Sequence, residues 1–111
     1  MPRPRERIAG PRLTVISWRA IPAQVLARDG ERTEKIELHR RFQVAIDRAA
    51  MAAGMSAASD YISQWRQETR PCGPDLATEA ATEAARLDAA HTREVLAALV
   101  AAGGLAPEEP A

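Results

Sequence analysis

The stretch Leu13-Thr14-Val15-Ile16-Ser17-Trp18 decides the fold, because an uninterrupted run of β-branched and aromatic residues favours a β-strand. It is bounded by Pro11 on one side and by Pro22, which interrupts regular pairing, on the other. Alternate residues of a strand point to opposite faces, and both faces of this stretch carry apolar side chains. We therefore predict a central strand that is covered on at least one side.

Two further strands are predicted to complete an antiparallel meander. Residues 24–28 form a second short strand, and the pair Asp29-Gly30 favours a type I′ turn. Residues 31–37 are mostly charged, which suits the edge of a sheet because edge charges discourage pairing with other chains.

From Leu38 onward the apolar residues recur every three or four positions, which is the period of a helix. Phe42 is the only phenylalanine and the predicted centre of the core, and Gly54 is the predicted end of this helix.

A second, shorter helix is predicted to begin near Ser56 or Ser59, either of which can cap it. Tyr61, Ile62 and Trp65 would form its apolar face, and Pro71-Cys72-Gly73-Pro74 would end the segment.

The last predicted helix covers residues 75–102, with Asp75 as its cap and Gly103-Gly104 as its end. A helix of about 28 residues extends roughly 40 Å, which is more than a domain of this size spans. It must therefore bend, project or pack on another molecule, and its alanine-rich stripe would allow self-association. The predicted fold class is α+β, a three-stranded antiparallel meander followed by three helices.

The 111 residues suffice for one domain, which we place at residues 13–103, with a core over 13–70. Residues 1–12, which are basic, and residues 104–111 are predicted to be disordered tails. A net charge of zero and only 4% aromatic residues argue against nucleic-acid binding. The basic tail could still contact phosphate or an acidic partner.

A single cysteine, Cys72, allows no intramolecular disulfide, which favours a reducing cytoplasm. No apolar run approaches the ~20 residues needed to cross a bilayer, so no membrane association is predicted.

Groups suited to catalysis are sparse. The separations of His39, Cys72 and His91 match no metal-ligand spacing. Cys72 lies in a turn just before a predicted helix, a position expected to lower the pKa of its thiol, but no second cysteine accompanies it. We predict no catalytic residue, no metal and no resident cofactor, and hence a protein that is not an enzyme.

Two side-chain groups have both a functional and a structural interpretation. Arg41 and Arg48 share one helix face next to Arg40, and with Arg19 and Arg28 nearby these arginines could bind an anion. Alternatively, they lie on a solvated face with Asp47 and Glu37 as partners. The other group is Tyr61, Trp65 and Arg66, whose composition is typical of an interface hot spot and equally of the buried side of a helix.

The blocks Trp18-Arg19-Ala20-Ile21-Pro22-Ala23-Gln24 and Arg41-Phe42-Gln43-Val44-Ala45-Ile46-Asp47-Arg48-Ala49-Ala50-Met51 carry a resemblance, together with Asp60-Tyr61 and Trp65-Arg66. They resemble the small virulence factor domain family, over residues 13–70. The same domain occurs in larger proteins called conserved virulence factor C.

This resemblance implies no particular reaction, cofactor or catalytic residue. In the larger relatives the domain accompanies a scaffold-type N-terminal domain and helical repeats, which implies an interaction role. Stand-alone members are associated with genes for folate- and corrinoid-dependent methyl transfer, which implies an accessory subunit there.

We therefore expect a non-enzymatic adaptor that binds a protein. The alternative is a subunit of a folate- or corrinoid-dependent methyl-transfer system that binds a small anionic ligand through Arg19, Arg41 and Arg48. The candidate interaction residues are Trp18, Arg19, Ile21, Pro22, Gln24, Arg41, Arg48, Tyr61, Trp65 and Arg66.

Overall fold

The predicted meander forms three strands of a four-stranded antiparallel sheet in a computed structural model that describes residues 10–55 and 57–107. The predicted α+β class is confirmed, but the described chain holds four strands and four helices instead of three of each. In chain order they are β1 (Arg12–Trp18), β2 (Ile21–Asp29), β3 (Arg32–Glu37), α1 (Arg40–Ala52), α2 (Ala58–Ile62), β4 (Trp65–Pro71), α3 (Leu76–Ala90) and α4 (Arg93–Ala101).

The strand order β3-β2-β1-β4 places β1 in the interior of the sheet and the charged β3 at one edge, as predicted. The turn between β2 and β3 differs from the prediction. Asp29 pairs with Arg32, so the two central turn residues are Gly30 and Glu31. Of these only Gly30 has a positive φ, +64°, which is typical of a type II′ turn and corrects the predicted type I′ turn.

The second edge of the sheet is β4, which the sequence did not predict. The chain leaves α2 at Ile62, and residues 65–71 then pair antiparallel with the whole of β1. Thr14 and Thr69 face each other across this pair, with their hydroxyl oxygens 2.9 Å apart. The predicted short helix does form near the expected start, as α2, but its N-cap is Ala57 and no side chain caps it. Its predicted apolar face is wrong, since Trp65 begins a strand and Ile62 is exposed.

Helix α3 covers part of one face of the sheet. Leu13 of β1 and Val25 of β2 are fully buried there against Leu76 and Ala80 of α3. Beside them lies the buried Glu83, whose carboxylate accepts hydrogen bonds from Arg86 and from Arg70 of β4. This contact ties α3 to the edge strand.

A second, adjoining cluster contains the largest buried side chains, Trp18 and Phe42. Phe42 lies at the centre of the cluster as predicted, and Leu96 and Leu99 of α4 pack there against α1. A bulge in β2 opposite Ile16 and Ser17 of β1 shifts the register next to this cluster.

The predicted helix over residues 75–102 is two helices. Asp75 caps α3 as predicted, accepting a hydrogen bond from the Thr78 amide at 3.2 Å. The helix stops at Ala90, and His91 and Thr92, here called the elbow, separate it from α4. Of the three predicted alternatives the chain bends, and the bend brings α4 back onto α1.

The C-terminal end of α4 is formed by Gly103 and Gly104, both with positive φ. Gly104 is buried, and its carbonyl accepts a hydrogen bond from the Ala20 amide at 2.8 Å. Of the predicted tails, residues 1–9 and 108–111 lie outside the described residues, whereas Arg12 already belongs to β1. None of the described helices is both long enough and apolar enough to span a bilayer.

Candidate functional site

The strongest candidate site is a groove between α1 and α4 with a volume of about 610 Å³. Apolar side chains form its floor and cationic side chains form its rim, and we call it the arginine groove. Its lining residues are His39, Arg40, Arg41, Val44, Ala45, Arg48, Arg93, Leu96, Ala97 and Val100.

Helical periodicity accounts for the α1 wall. Arg40, Val44 and Arg48 follow one another at intervals of four residues and therefore project in similar directions. The opposite side of α1 carries Phe42 and Ile46, whose burial fixes the rotation of the helix. Val44 is consequently left 42% exposed in the groove.

Arg41 lines the groove but is already engaged. Its Nη1 lies 2.9 Å from the Asp88 carboxylate, and its Nη2 donates to the main-chain oxygens of Asp88 and His91. The guanidinium also lies over the Phe42 ring, 4.7 Å from the centroid. Arg41 therefore satisfies carbonyls at the end of α3 and holds the elbow.

The side chains of Arg40, Arg48 and Arg93 are exposed and form no hydrogen bond, ion pair or ring contact with any described residue. No carboxylate is among the described residues that line the groove. The acidic partners considered for this face are engaged elsewhere, since Asp47 accepts from Gln43 at 3.0 Å and Glu37 lies 3.5 Å from Lys35. The groove is thus a local cationic surface on a chain with no net charge.

Arg28 of the predicted anion patch is exposed on β2 and does not line the groove, and Arg19 does not line it either. Arg19 has other partners. Its Nε donates to the Gln64 side chain at 3.0 Å and its Nη1 to the Gly103 carbonyl at 2.9 Å. The guanidinium stacks on Trp18, and the backbone adopts a positive φ of +52°. Arg19 joins the β1–β2 turn to the end of α4.

Several other candidate interaction residues lie in the core. Trp18 and Ile21 have no exposed surface and Pro22 is buried, so these three stabilise the fold and are not available to a partner. Tyr61 stacks on Trp18 at 5.7 Å, and its carbonyl accepts a hydrogen bond from the Trp18 indole. The structural interpretation of Tyr61 is therefore the one that the geometry supports.

Gln24 and Trp65 are half-buried and line a smaller cavity of about 310 Å³ next to the arginine groove, and the Trp65 ring packs edge-on against Tyr61. Arg40 lines both cavities. Arg66 lies exposed on β4, the edge strand.

The residues considered for catalysis, His39, Cys72 and His91, each have separate local surroundings. His39 caps α1, its Nδ1 accepting from the Arg41 amide at 3.0 Å, and the His91 ring contacts the Leu87 carbonyl. Burial, with the nearby Glu79 carboxylate, raises the pKa of the Cys72 thiol, which corrects the expected lowering. Among residues 10–55 and 57–107, no three His, Cys, Asp or Glu side chains are grouped so as to hold a metal ion.

Sequence reasoning placed Arg40 in a possible anion patch but missed Val44 and Arg93 as site residues. The pattern of arginine, valine and arginine at intervals of four could have identified the α1 wall. Arg93 had no such signal, because it reaches the groove only through the elbow that turns α4 back onto α1.

The family described as Virulence factor matches residues 16–100. Because this match covers most of the chain, the protein belongs to the virulence factor family. The match includes α1 and all but the last residue of α4, the two helices that form the arginine groove. Comparisons with curated proteins and with solved structures gave no significant match.

Proposed function

We propose that this protein is a non-enzymatic adaptor that binds an acidic segment of a partner protein in the arginine groove. The observation that carries the proposal is the set of three arginines, Arg40, Arg48 and Arg93, that have no partner among the described residues and surround an apolar floor. Exposed guanidinium groups whose donors are not already engaged by the described residues are suited to form charge-assisted hydrogen bonds with carboxylates.

The floor favours a polypeptide segment that also carries apolar side chains. Val44 and Val100 offer aliphatic surface, whose removal from water stabilises a complex by about 25 cal/mol per Å². The arginines then determine which apolar segments bind, because acidic neighbours are attracted and basic ones are repelled. Because mobile ions screen charges beyond about 8 Å in cells, this selection acts only at close range.

Family membership supports the same proposal. The resemblance to conserved virulence factor C proteins, in which the domain accompanies scaffold-type and helical-repeat domains, implies a role in holding proteins together. We further propose that the protein works in the cytoplasm as an accessory subunit.

Selection of random peptides displayed on phage, with the full chain as bait, tests the proposal. We expect bound peptides to be enriched in Asp and Glu together with Leu, Ile or Val. Their binding should be lost in an Arg48→Gln, Arg93→Gln double variant. The matched control, Arg28→Gln with Lys35→Gln, removes equal charge from exposed positions on β2 and β3 and should leave binding unchanged. Peptides with no acidic enrichment, or with equal affinity for both variants, would contradict the proposal.

A small anionic ligand is the second candidate for the same groove. Its volume of about 610 Å³ lies within the range of about 300–1,000 Å³ that is common for ligand sites. Since Arg19 is engaged elsewhere, Arg40, Arg48 and Arg93 would hold the anion. In thermal-shift measurements with a folate, a nucleotide and a corrinoid, a ligand at 100 times its Kd should stabilise the chain by about 2.7 kcal/mol. The absence of any shift with all three would reject this candidate.

A further inference from the structure

We propose that the acidic segment binds in the arginine groove as an amphipathic α-helix with an apolar side chain between two carboxylates, one turn away on either side. This inference rests on the proposed function and specifies its partner. It follows from the spacing of charge along the walls and from the absence of a strand edge in the groove.

The α1 wall sets the spacing. Arg40 and Arg48 are eight residues apart, which corresponds to about 12 Å along a helix axis, and Val44 lies midway between them. Carboxylates at positions i and i+7 of a helix are about 10 Å apart on one face, with positions i+3 and i+4 between them. A helix lying along α1 can therefore place its carboxylates beside the arginines and its apolar residue on Val44.

The α4 wall completes the match. Arg93 supplies a third cation at its N-terminal end, and Ala97 and Val100 follow at helical spacing. The side chains of Ala97 and of Ala45 on the opposite wall are short, so the backbone of a third helix can approach closely. Rows of residues four apart are the ridges between which the side chains of a packed helix fit.

Backbone hydrogen bonding decides between a helix and an extended segment. Both walls of the groove are helices, whose amide and carbonyl groups are paired within each helix except in the terminal turns, and neither wall offers a strand edge. An extended segment would therefore leave its own backbone groups without partners above an apolar floor, which costs free energy. A helix satisfies these groups internally and binds such grooves through side chains alone.

Binding of three peptides to the full chain tests the inference. The first two have the same composition, and the third differs from the first at one residue. The first has Glu at i and i+7 with Leu at i+3 and i+4, the second permutes these residues around the helix, and the third is the first with a central proline. Fluorescence anisotropy gives each Kd, and backbone carbon chemical shifts report the conformation of the bound peptide. We expect the first peptide to bind at least about tenfold more tightly than the others, which is 1.4 kcal/mol, and to be helical when bound.

The outcomes separate this inference from the proposed function. If all three peptides bind equally and the Arg48→Gln, Arg93→Gln variant weakens all of them, the helix is rejected and the acidic-segment proposal stands. If none of them binds, or the double variant binds as well as the parent, both proposals fail. Val44→Glu places a carboxylate in the centre of the groove at an exposed position and should abolish binding of the first peptide without lowering the Tm.

Discussion

Gly104 lies so close to Trp18 that a Cβ atom on residue 104 would be 2.8 Å from Cζ3 of the indole. Trp18 is fully buried at the end of β1, and Gly104 follows α4 with a φ of +89°. The end of α4 is thus seated directly on the central strand, and the absence of a side chain at residue 104 permits this contact.

Gly104→Ala should lower the free energy of unfolding by about 1–3 kcal/mol for the overpacking, with a further cost of about 1–2 kcal/mol for the left-handed backbone. Gly30→Ala is the matched control, because residue 30 has a φ of +64° but no atom within 4 Å of an added Cβ. Urea unfolding of both variants measures the difference. Equal losses would show that the indole contact does not constrain residue 104.

Phe42→Ala should destabilise the chain by about 3–5 kcal/mol, because the ring is buried and its removal leaves a cavity. Val44→Ala, two residues further along the same helix at an exposed position, should change stability by less than about 0.5 kcal/mol. Chemical denaturation of the two variants tests the orientation of α1. A loss of stability well above about 0.5 kcal/mol for Val44→Ala would contradict the assignment of residue 44 to the exposed groove.

Glu83 should make stability depend on pH in the acidic range. Hydrogen bonds from Arg86 lower the pKa of this carboxyl more than its burial raises it, and the charges of Arg86 and Arg70 lower it further. Because the pKa is lower in the folded chain than in the unfolded chain, the stabilisation is present at neutral pH. It is lost as the pH falls below about 5 towards the folded-state pKa.

Glu83→Gln should therefore show a shallower loss of stability between neutral and acidic pH than the parent chain. Arg86→Gln removes the hydrogen bonds that contribute most to lowering the pKa of Glu83, so it should raise this pKa and destabilise the chain near neutral pH. Unfolding free energies at several pH values test the first expectation, and carboxyl carbon NMR of Glu83 tests the second. If unfolding free energy depends on pH in the same way for the parent and for Glu83→Gln, Glu83 is not the source of the acid dependence.

Thr92→Ala should weaken α4 by about 1 kcal/mol, because the Thr92 hydroxyl accepts a hydrogen bond from the Val95 amide at 3.2 Å as the N-cap. The control, Thr82→Ala, replaces an exposed threonine inside α3 with a better helix former and should not destabilise. Hydrogen exchange should show faster opening of α4 in Thr92→Ala alone. Unchanged protection of the α4 amides would rule out this cap.

Cys72 should react more slowly with a thiol reagent in the folded chain than in urea. Burial and the Glu79 carboxylate raise the pKa of its thiol, which reduces the reactive thiolate fraction near neutral pH. Glu79→Gln should accelerate the reaction of the folded chain. A folded-state rate above the unfolded-state rate would mean that the site activates the thiol.

The parts of the fold that the sequence predicted correctly have a strong local signal. β1, β3 and α1 are marked by β-branched residues, by an edge composition and by a 3.6-residue period, and Gly54 and Asp75 lie at the helix ends assigned to them. β4 has no such signal. Between Trp65 and Pro71 at its two ends, its residues are all polar or charged, and it forms a strand because the edge of β1 offers it unpaired backbone groups.

The elbow was not predictable for a related reason. The sequence from Ala89 to Arg93 contains no glycine or proline, so its periodicity continues through the break. The bend depends on contacts from another helix, since Arg41 binds the carbonyls of Asp88 and His91. Arg41 and Arg48 could be placed on one face from their spacing alone, but Arg93 joins them only because of this tertiary contact.

The pairing of β1 with β4 has a consequence for synthesis on the ribosome. Strand β1 is complete once residue 18 has been made, but its second neighbour does not exist until residues 65–71 have been added. Until then the nascent chain exposes one long backbone edge and lacks the Tyr61 and Trp65 rings that pack around Trp18. We therefore expect polypeptides that terminate before residue 65 to be prone to intermolecular β-pairing.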